Sequence, residues 1–401
     1  MRLFIHDFGG YAFILQLSKA LAKRGHEVCH AYYGSHKTTP PGVQQIKTGD
    51  IPNLEIRPLE LSEVLNKYNF YKRWKQETEY GHVASSAIAD FKPDLVLSAN
   101  TPLDAQKTII RDCKEAGIPF IFWIQDLLGL AAYKILRRKI PVLGSLIGKH
   151  YIRMENKLLF QSDGIVTMGN EFFSTIRHPD KKSYTKPLYL VQNWAPLDQL
   201  PVTDKQNSWS ESQNLDKTFN FLYSGTLSMK HNPDNLLQLA RAFKDESNVR
   251  VVVISNGLGA DWLKQQKKKF NLPNLLILPY QPLSDLPKVL GAADATVTLL
   301  EEDAGEFSVP SKVFSYMCAG RPLLMSVPAS NYAAQIINTN GLGLSSHPED
   351  TTTLISHARQ LLEHPDLRDD MGKAARQLAE RLFNIEAITN TFEELFAEVV
   401  R

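Results

Sequence analysis

The chain has 401 residues, more than one hydrophobic core usually supports, so two domains of about 200 residues each are expected. Its 45 Lys and Arg nearly balance 43 Asp and Glu, which excludes a nucleic-acid-binding protein held by bulk positive charge. The charge is uneven along the chain: residues 1–200 have a net charge of +7, and the remainder has −5. The N-terminal half is therefore expected to face an anionic partner other than nucleic acid.

Cysteine usage and hydropathy indicate the compartment. Cys29, Cys113 and Cys318 are widely spaced and form no Cys-x-x-Cys motif, so neither a disulfide framework nor a thiolate metal site is predicted. The N-terminus has no signal-peptide pattern, and the most apolar run, 118–133, is interrupted by Gln125 and Asp126. We expect a cytoplasmic protein.

The first predicted unit is strand, glycine turn, helix, strand. An apolar strand at 3–5 leads to Gly9-Gly10, a helix at 13–21 and a second strand at 28–32. In such a unit the amides at the helix N-terminus point toward a ligand above the sheet. The Gly-x-Gly-x-x-Gly dinucleotide fingerprint is absent, which argues against a hydride-transfer enzyme.

A second unit contains two polar residues at the end of a strand. A strand at 95–98 precedes a helix at 103–116 and a strand at 119–124, and Gln125 and Asp126 follow directly. Open α/β sheets place ligand contacts at that position. Asp126 is therefore either a functional carboxylate or a buried structural one.

Residues 131–157 form a basic amphipathic stretch with Glu155 as its one acid. Such a stretch fits either an anionic membrane surface or an ordinary solvated helix face, and we favour membrane contact. The polar, Pro-containing segment 194–217 then predicts a linker. After it, strands alternate with helices again, which predicts a second doubly wound parallel sheet.

The segment 308–322 predicts an anion site. Ser308, Pro310 and Ser311 are typical of a helix start, Lys312 would lie in the first turn, and Gly320 would end the helix. A lysine there opposes the helix dipole unless an anion compensates it. The segment is either a diphosphate cradle or an ordinary capped helix with a solvated lysine.

These segments together resemble the retaining glycosyltransferases of family 4, which have the GT-B fold. The similarity covers essentially the whole chain and is nearest to enzymes that build bacterial surface polysaccharides on a lipid carrier. The segments that carry it are Gly9-Gly10, Arg24–Val28, Lys92–Val96, Ser224–Lys230, Val309–Lys312 and Gly320–Pro322.

The resemblance implies an α/β chain with two Rossmann-like doubly wound domains facing each other. The expected boundaries are 1–193 for an acceptor-side domain, 194–217 for a linker, 218–382 for a nucleotide-sugar domain, and 383–401 for a helix returning to the first domain. A sugar would pass, with retention of configuration, from a nucleotide-diphosphate sugar to a lipid-linked or other saccharide acceptor. No cofactor and no metal would be required, because cationic side chains and helix dipoles can stabilise the leaving phosphate.

The same resemblance implies the site residues. The catalytic candidates are Lys230, Lys312 and Asp126. The acceptor-side candidates are Gly9, Gly10, Gln125 and Asp126. The donor-side candidates are Gly225, Thr226, Lys230, Asn256, Gly257, Tyr280, Gln281, Glu306, Ser308, Val309, Pro310, Ser311, Lys312 and Ser315.

Two departures from the family pattern leave alternatives open. The two glutamates that the family often carries would fall on Phe307 and Ser315, with Glu306 only adjacent, and its arginine after the turn glycine is Thr226 here. One alternative is a GT-B nucleotide-sugar 2-epimerase that uses His6, Asp7 and Asp126. The other is a non-catalytic nucleotide-sugar-binding protein.

Overall fold

The computed structural model describes residues 1–35, 51–66, 69–168, 184–228, 231–305 and 309–401, with backbone only at 304 and 305. The chain divides into two compact units. Unit 1 comprises Met1–Asn193 together with Ile385–Arg401, and unit 2 comprises Trp194–Asn384.

Unit 1 contains a seven-stranded parallel sheet with the order β3-β2-β1-β4-β5-β6-β7. The central strands are almost wholly buried runs of apolar residues, as expected for a parallel sheet covered by helices on both faces. The strands are β1 (Arg2–Asp7), β2 (Glu27–Tyr33), β3 (Leu54–Leu59), β4 (Leu95–Ala99), β5 (Phe120–Ile124), β6 (Gly164–Thr167) and β7 (Leu188–Leu190). The helices are α1 (Ala12–Lys23), α2 (Phe70–Phe91), α3 (Leu103–Glu115), α4 (Leu128–Lys139), α5 (Pro141–Gln161) and the C-terminal α15 (Ile385–Val400).

The 22-residue helix α2 is an element that the sequence pattern did not predict. Its buried face is built from small and polar-tipped residues, including Tyr80, Gly81 and Ala84, and so lacks the usual apolar periodicity. Gly81 allows close packing on α3, because a Cβ atom there would lie 2.9 Å from the carbonyl oxygen of Ala105.

The C-terminal helix α15 packs within unit 1. Phe392 is fully buried, and its ring centroid lies 5.0 Å from that of Trp123 on β5. Arg24, at the end of α1, forms ion pairs with Glu386 at 2.6 Å and with Glu393 at 2.5 Å. An aromatic core contact and a charged cluster together attach α15 to this unit.

Replacing Phe392 with alanine is expected to lower the free energy of unfolding of unit 1 by about 3–5 kcal/mol, since the buried ring leaves a cavity against Trp123. Chemical denaturation followed by far-UV circular dichroism measures the change. Val400→Ala, an exposed truncation in the same helix, is the control and should shift stability by less than about 0.5 kcal/mol. Equal effects for the two variants would contradict the packing of α15 described here.

Unit 2 contains a six-stranded parallel sheet with the order β10-β9-β8-β11-β12-β13. The strands are β8 (Phe219–Ser224), β9 (Val249–Ile254), β10 (Leu275–Leu278), β11 (Ala295–Leu299), β12 (Leu323–Ser326) and β13 (Gly343–Ser346). The helices are α6 (Ser208–Ser212), α7 (Asp234–Ala242), α8 (Leu258–Phe270), α9 (Leu286–Gly291), α10 (Glu302–Gly305), α11 (Lys312–Cys318), α12 (Tyr332–Asn340), α13 (Thr351–Glu363) and α14 (Pro365–Leu382).

The segment 194–217, whose composition predicts a linker, is packed as part of unit 2. Asn207 caps helix α6 through its side chain, and Trp209 is buried. Lys205 forms a 2.6 Å ion pair with Asp294, next to β11. The polar composition misleads because capping and ion pairing, rather than apolar periodicity, hold this segment in place.

Both sheets reverse their strand order at one point, between β1 and β4 in unit 1 and between β8 and β11 in unit 2. At such a switch point the connections from neighbouring strands leave toward opposite faces, and a crevice opens beyond the carboxyl ends of the strands. The residues that follow β1, β4 and β8 are therefore the first place to look for a site.

Candidate active site

The turn that follows β8 brings together two of the predicted site residues. Gly225 has a φ of +132°, a conformation that residues with a Cβ rarely adopt. A Cβ atom there would lie 3.3 Å from Cε of Lys312 and 3.6 Å from its Nζ. The glycine turn and the first-turn lysine of α11, far apart in sequence, thus meet at the switch point of the unit 2 sheet.

Lys312 is positioned by an aromatic ring. Its Nζ lies 3.6 Å from the ring centroid of Tyr223, a buried residue of β8. An ammonium group over a buried aromatic face is stabilised by the ring quadrupole. The sequence did not identify Tyr223, although its place two residues before the turn glycine is a usable signal.

Tyr316 attaches helix α11 to the end of β8. Its buried hydroxyl accepts a hydrogen bond from Ser224 N at 2.9 Å and donates one to Ser224 O at 3.1 Å. Tyr316 lies one helical turn after Lys312, so both side chains project from the same face of α11. This side chain was not identified from the sequence either, because only the tertiary contact reveals its role.

Helix α11 begins later than the sequence indicates. Its first residue is Lys312, whereas Pro310 lies before the helix and the side chain of Ser311 forms no capping hydrogen bond. The reason is a tight turn: Val313 N donates to Pro310 O and Phe314 N donates to Ser311 O, each three residues apart. The predicted end is confirmed, since Gly320 adopts a left-handed φ of +64°.

Two neighbouring loops meet the turn after β8. The Tyr280 hydroxyl lies 2.8 Å from Thr226 Oγ1, and Tyr223 donates its hydroxyl hydrogen to Thr226 O at 2.8 Å. Gly257, at the start of α8, has a φ of +111°, and a Cβ there would lie 3.3 Å from Leu227 O. Thr226, Gly257 and Tyr280 therefore lie at one edge of the sheet, as the resemblance implies, and Asn256 is exposed beside them.

Gln281 is held by the protein itself. Its Oε1 accepts a hydrogen bond from Trp209 Nε1 at 3.0 Å, and its Nε2 donates one to Pro279 O at 2.9 Å. With both ends of the amide engaged, Gln281 fixes the loop that presents the half-exposed ring of Tyr280.

Of the remaining donor-side candidates, Lys230, Glu306 and Ser308 lie outside the described residues. Val309 lies just before Pro310 and α11, and Ser315 lies on α11 with its side chain partly exposed. A ribose contact from Ser315 in place of the family glutamate stays a prediction.

The Gly9-Gly10 turn of unit 1 is organised by the carboxylate of Asp7. Asp7 Oδ1 accepts a hydrogen bond from Gly9 N at 3.0 Å, and Oδ2 accepts one from Tyr11 N. Gly10 adopts a φ of +66°, which a glycine tolerates. Burial raises the pKa of Asp7 to about 7, although these backbone donors act in the opposite direction. Asp7 therefore fixes the conformation of the Gly9-Gly10 turn through these hydrogen bonds.

Asp126 lies beside the phenol of Tyr11. Burial raises the pKa of Tyr11, and the charge of Asp126 raises it further. Asn100, which follows β4 and has a φ of +50°, donates from Nδ2 to the Tyr11 hydroxyl at 3.1 Å. The loops after β1, β4 and β5 thus place a phenol, an amide and a carboxylate together. Gln125 is buried, and its Nε2 has no hydrogen-bond partner among the described residues.

His6 is a structural histidine. Its Nδ1 lies 2.9 Å from Ser98 Oγ and its Nε2 lies 2.8 Å from the Tyr80 hydroxyl, and the ring is fully buried. Burial lowers the pKa of His6 to about 3, so the ring is neutral at physiological pH. Both nitrogens are engaged within the fold, which weakens the case for His6 as the base of an epimerase.

Glu155 of helix α5 caps the N-terminus of α4, close to Asp126. Its Oε1 accepts a hydrogen bond from Gly129 N at 3.1 Å. Burial raises the pKa of Glu155 to about 7, and the nearby charge of Asp126 contributes to the shift, while the backbone donors oppose it. The carboxyl group is thus a structural part of the α4–α5 pair.

The stability of the protein should depend on pH through Glu155. Because its folded pKa of about 7 lies above the usual 4.5, the free energy of unfolding falls as the pH rises from 4.5 through about 7 and levels off at higher pH. Glu155→Gln keeps the acceptor and cannot ionise, so its stability relative to wild type should increase by about 3 kcal/mol from pH 4.5 to pH 7. Urea unfolding across this pH range measures the difference. A difference that does not change with pH would contradict the shift.

Within the described ranges, no group of three or more His, Cys, Asp or Glu side chains is arranged to hold a metal ion. The three cysteines are buried and unpaired with one another.

The architecture defines the fold class. Sucrose-phosphate synthase from Thermosynechococcus elongatus shares it with a TM-score of 0.76 at 15% identity, over 100% of this chain and 99% of that one. Anabaena HepE in complex with UDP-glucose gives a TM-score of 0.72 at 12% identity, over 99% of each chain. The predicted GT-B fold, with two Rossmann-like parallel-sheet units, is thereby confirmed.

Sequence comparisons show what the chain is similar to. Residues 205–378 match the model of the glycosyl transferases group 1 family. The putative colanic acid biosynthesis glycosyl transferase WcaI of Escherichia coli (strain K12) is 22% identical over 330 residues, which are 78% of this chain and 78% of that protein. The resemblance stated from the sequence is confirmed: much of unit 2 matches the glycosyl transferases group 1 family, and the chain is a glycosyltransferase.

Proposed function

We propose that the chain transfers a sugar from a nucleotide-diphosphate sugar, bound by unit 2, to a hydroxyl of a saccharide acceptor met by unit 1. One observation carries the donor assignment: the Gly225 turn and Lys312 meet at the switch point of the unit 2 sheet, so closely that a Cβ atom on Gly225 would lie 3.3 Å from Lys312 Cε. Turn amides and an ammonium group are the chemistry that binds a diphosphate.

In the proposed reaction the bond between the anomeric carbon and the phosphate oxygen breaks, and the acceptor oxygen bonds to that carbon. The proton of the acceptor hydroxyl passes to the departing nucleoside diphosphate, so that configuration is retained by attack on the same face. Lys312 would stabilise the charge that develops on the leaving phosphate, a role for which the protein needs no divalent metal. Lys230 is proposed as a second cation.

On the acceptor side, the Gly9-Gly10 turn and Asp126 are the groups proposed to meet the sugar hydroxyl. The cluster of Tyr11, Asn100 and Asp126 supports this assignment, because it places hydrogen-bonding groups beyond the ends of three adjacent strands. The similarity to WcaI, a putative colanic acid biosynthesis glycosyl transferase, supports an acceptor in the synthesis of a surface polysaccharide. We propose a lipid-linked saccharide at the cytoplasmic face of a membrane, with contact to anionic lipid through residues 131–157.

The test is nucleotide release from a panel of UDP-, GDP-, ADP- and dTDP-sugars by the purified protein, with and without saccharide and polyprenyl-linked acceptors. Release of nucleoside diphosphate that requires an acceptor, with the sugar found on that acceptor, is the expected result. Nucleotide released without an acceptor, together with a 2-epimer, would instead establish the epimerase. Tight donor binding with no turnover over the whole panel would establish a non-catalytic binding protein.

A further inference from the structure

Helices α4 and α5 form an antiparallel hairpin that is held by glycines. A Cβ on Gly144 would lie 2.1 Å from Leu136 O, and one on Gly148 would lie 2.4 Å from Cα of Tyr133. The two backbones therefore touch, and larger side chains cannot be buried between them there. The apolar residues near the tip of the hairpin are directed elsewhere.

Those residues are exposed. The exposed fraction is 79% for Val142 and 63% for Leu146, both within the first two turns of α5. The apolar residues exposed around the tip are Ile135, Ile140, Val142, Leu143, Leu146 and Ile147. A contiguous apolar group of this size on a protein surface marks an interaction site.

The surface continues onto the start of helix α2. Nζ of Lys139, the last residue of α4, lies 5.2 Å from the ring centroid of Phe70, the first residue of α2. Phe70, Tyr71 and Trp74 expose 47%, 65% and 45% of their surface. Aromatic rings of this kind favour the boundary between lipid headgroups and acyl chains.

The charge around this surface has one sign along the hairpin. The exposed basic side chains of α4 and α5 are Arg137, Arg138, Lys139, Lys149, Arg153 and Lys157. Glu155, the one acidic residue of these two helices, is buried and bound to Gly129 N. The hairpin therefore carries an excess of positive charge along its two helices, with Arg137, Lys139 and Lys149 near its apolar tip.

We propose that the tip of the α4–α5 hairpin and the first two turns of α2 form one membrane-docking face. On an anionic bilayer surface the apolar tip would enter the headgroup region, the aromatic rings would lie at the interface, and the basic side chains would contact lipid phosphates. The proposal rests on the proposed function for its membrane partner, and extends the contact beyond residues 131–157. In the described part of the chain, no helix has the length and hydropathy to cross a membrane.

Charge complementarity favours a bilayer over a second copy of this chain. In a symmetric pair each hairpin would bring its basic residues against the same residues of the other, which costs energy. A lipid surface supplies both anionic headgroups and an apolar layer, and thus matches both components of the face.

Flotation of the full-length protein with vesicles tests the proposal. Binding is expected to vesicles of phosphatidylcholine with about one third phosphatidylglycerol, and much less to phosphatidylcholine alone. Arg137→Gln, Lys139→Gln and Lys149→Gln combined should lower the partition coefficient about a hundredfold, since each basic residue contributes about 1 kcal/mol. The control Lys244→Gln, Lys268→Gln and Lys373→Gln removes the same charge from exposed positions of unit 2 and should change binding less than threefold, about 0.6 kcal/mol.

A second variant set tests the apolar tip. Val142→Ser, Leu143→Ser and Leu146→Ser combined should weaken vesicle binding at least tenfold without lowering Tm, because these side chains are exposed in the fold. Acyl chains brominated near the headgroup should quench Trp74. Trp123, Trp194 and Trp209 are buried, and Trp262 is partly buried in unit 2, so Trp74→Phe should remove that quenching.

Full vesicle binding by either variant set would overturn the proposal. The proposal would also be overturned if wild type did not bind vesicles and the same substitutions instead abolished self-association or binding to an acidic protein. Nucleotide affinity, measured without lipid, keeps the two proposals separate. Vesicle binding without nucleotide binding would overturn the donor site alone. Nucleotide binding without vesicle binding would overturn the docking face alone.

Discussion

Replacing Lys312 with alanine is expected to lower kcat by about 30- to 1000-fold, equivalent to about 2–4 kcal/mol in the barrier. The reason is the position of its ammonium group, which lies over the ring of Tyr223 and beside the Gly225 turn, where the departing diphosphate would gain charge. Lys312→Met, similar in length but uncharged, should show the same loss, which would separate the effect of charge from that of volume.

Lys269→Ala is the matched control for Lys312→Ala. Lys269 is also in unit 2 and also lies over an aromatic ring, with Nζ 5.2 Å from the Phe270 centroid, but it is in the last turn of α8. Steady-state turnover of the three variants, at saturating donor and acceptor, makes the comparison. Unchanged turnover in Lys312→Ala would remove this lysine from the mechanism.

Replacing Gly225 with alanine is expected to weaken nucleoside diphosphate binding at least tenfold. The new Cβ would lie 3.3 Å from Lys312 Cε, a tight contact that displaces the ammonium group from its place over Tyr223. The φ of +132° adds about 1–3 kcal/mol of backbone strain, which should appear as a lower free energy of unfolding. Calorimetric titration and chemical denaturation measure the two effects separately.

Gly341→Ala distinguishes backbone strain from obstruction of the site. Gly341 caps α12 at a φ of +64°, and a Cβ there would meet no atom within 4 Å. This variant should lose about 1–2 kcal/mol of stability and keep its nucleotide affinity. If both glycine variants lost affinity equally, the Gly225 effect would be one of general stability, and the cradle would lose its support.

The fold was largely predictable because parallel strands buried on both faces are continuous apolar runs that end in recognisable turns. The strands β4 and β5 and the turn at Gly225 are examples. Helix α2 could not be predicted because it buries small and polar-tipped residues. The polar composition of 194–217 predicts a linker, whereas capping and ion pairs hold this segment in unit 2. In both cases tertiary packing overrides the local pattern.

The sequence indicated candidate site residues but not the residues that position them. A first-turn lysine has a local signature that makes Lys312 a candidate, and the family resemblance makes Gly225 one; their binding of the donor stays a prediction. Tyr223 and Tyr316 position Lys312 only through contacts between α11 and β8, which no local pattern encodes. The same holds for the proposed membrane-docking face: the basic stretch is visible in the sequence, but the contact between Lys139 and Phe70 is not.

Calorimetric titration of the purified protein with UDP, GDP, ADP and dTDP, each with and without magnesium, tests the diphosphate cradle most directly. We predict saturable binding of one nucleoside diphosphate that does not require magnesium, a matching increase in Tm, and at least tenfold weaker binding in Lys312→Ala. No binding of any of the four, or binding unaffected by Lys312→Ala, would contradict the assignment of the Gly225 turn and Lys312 as the donor site.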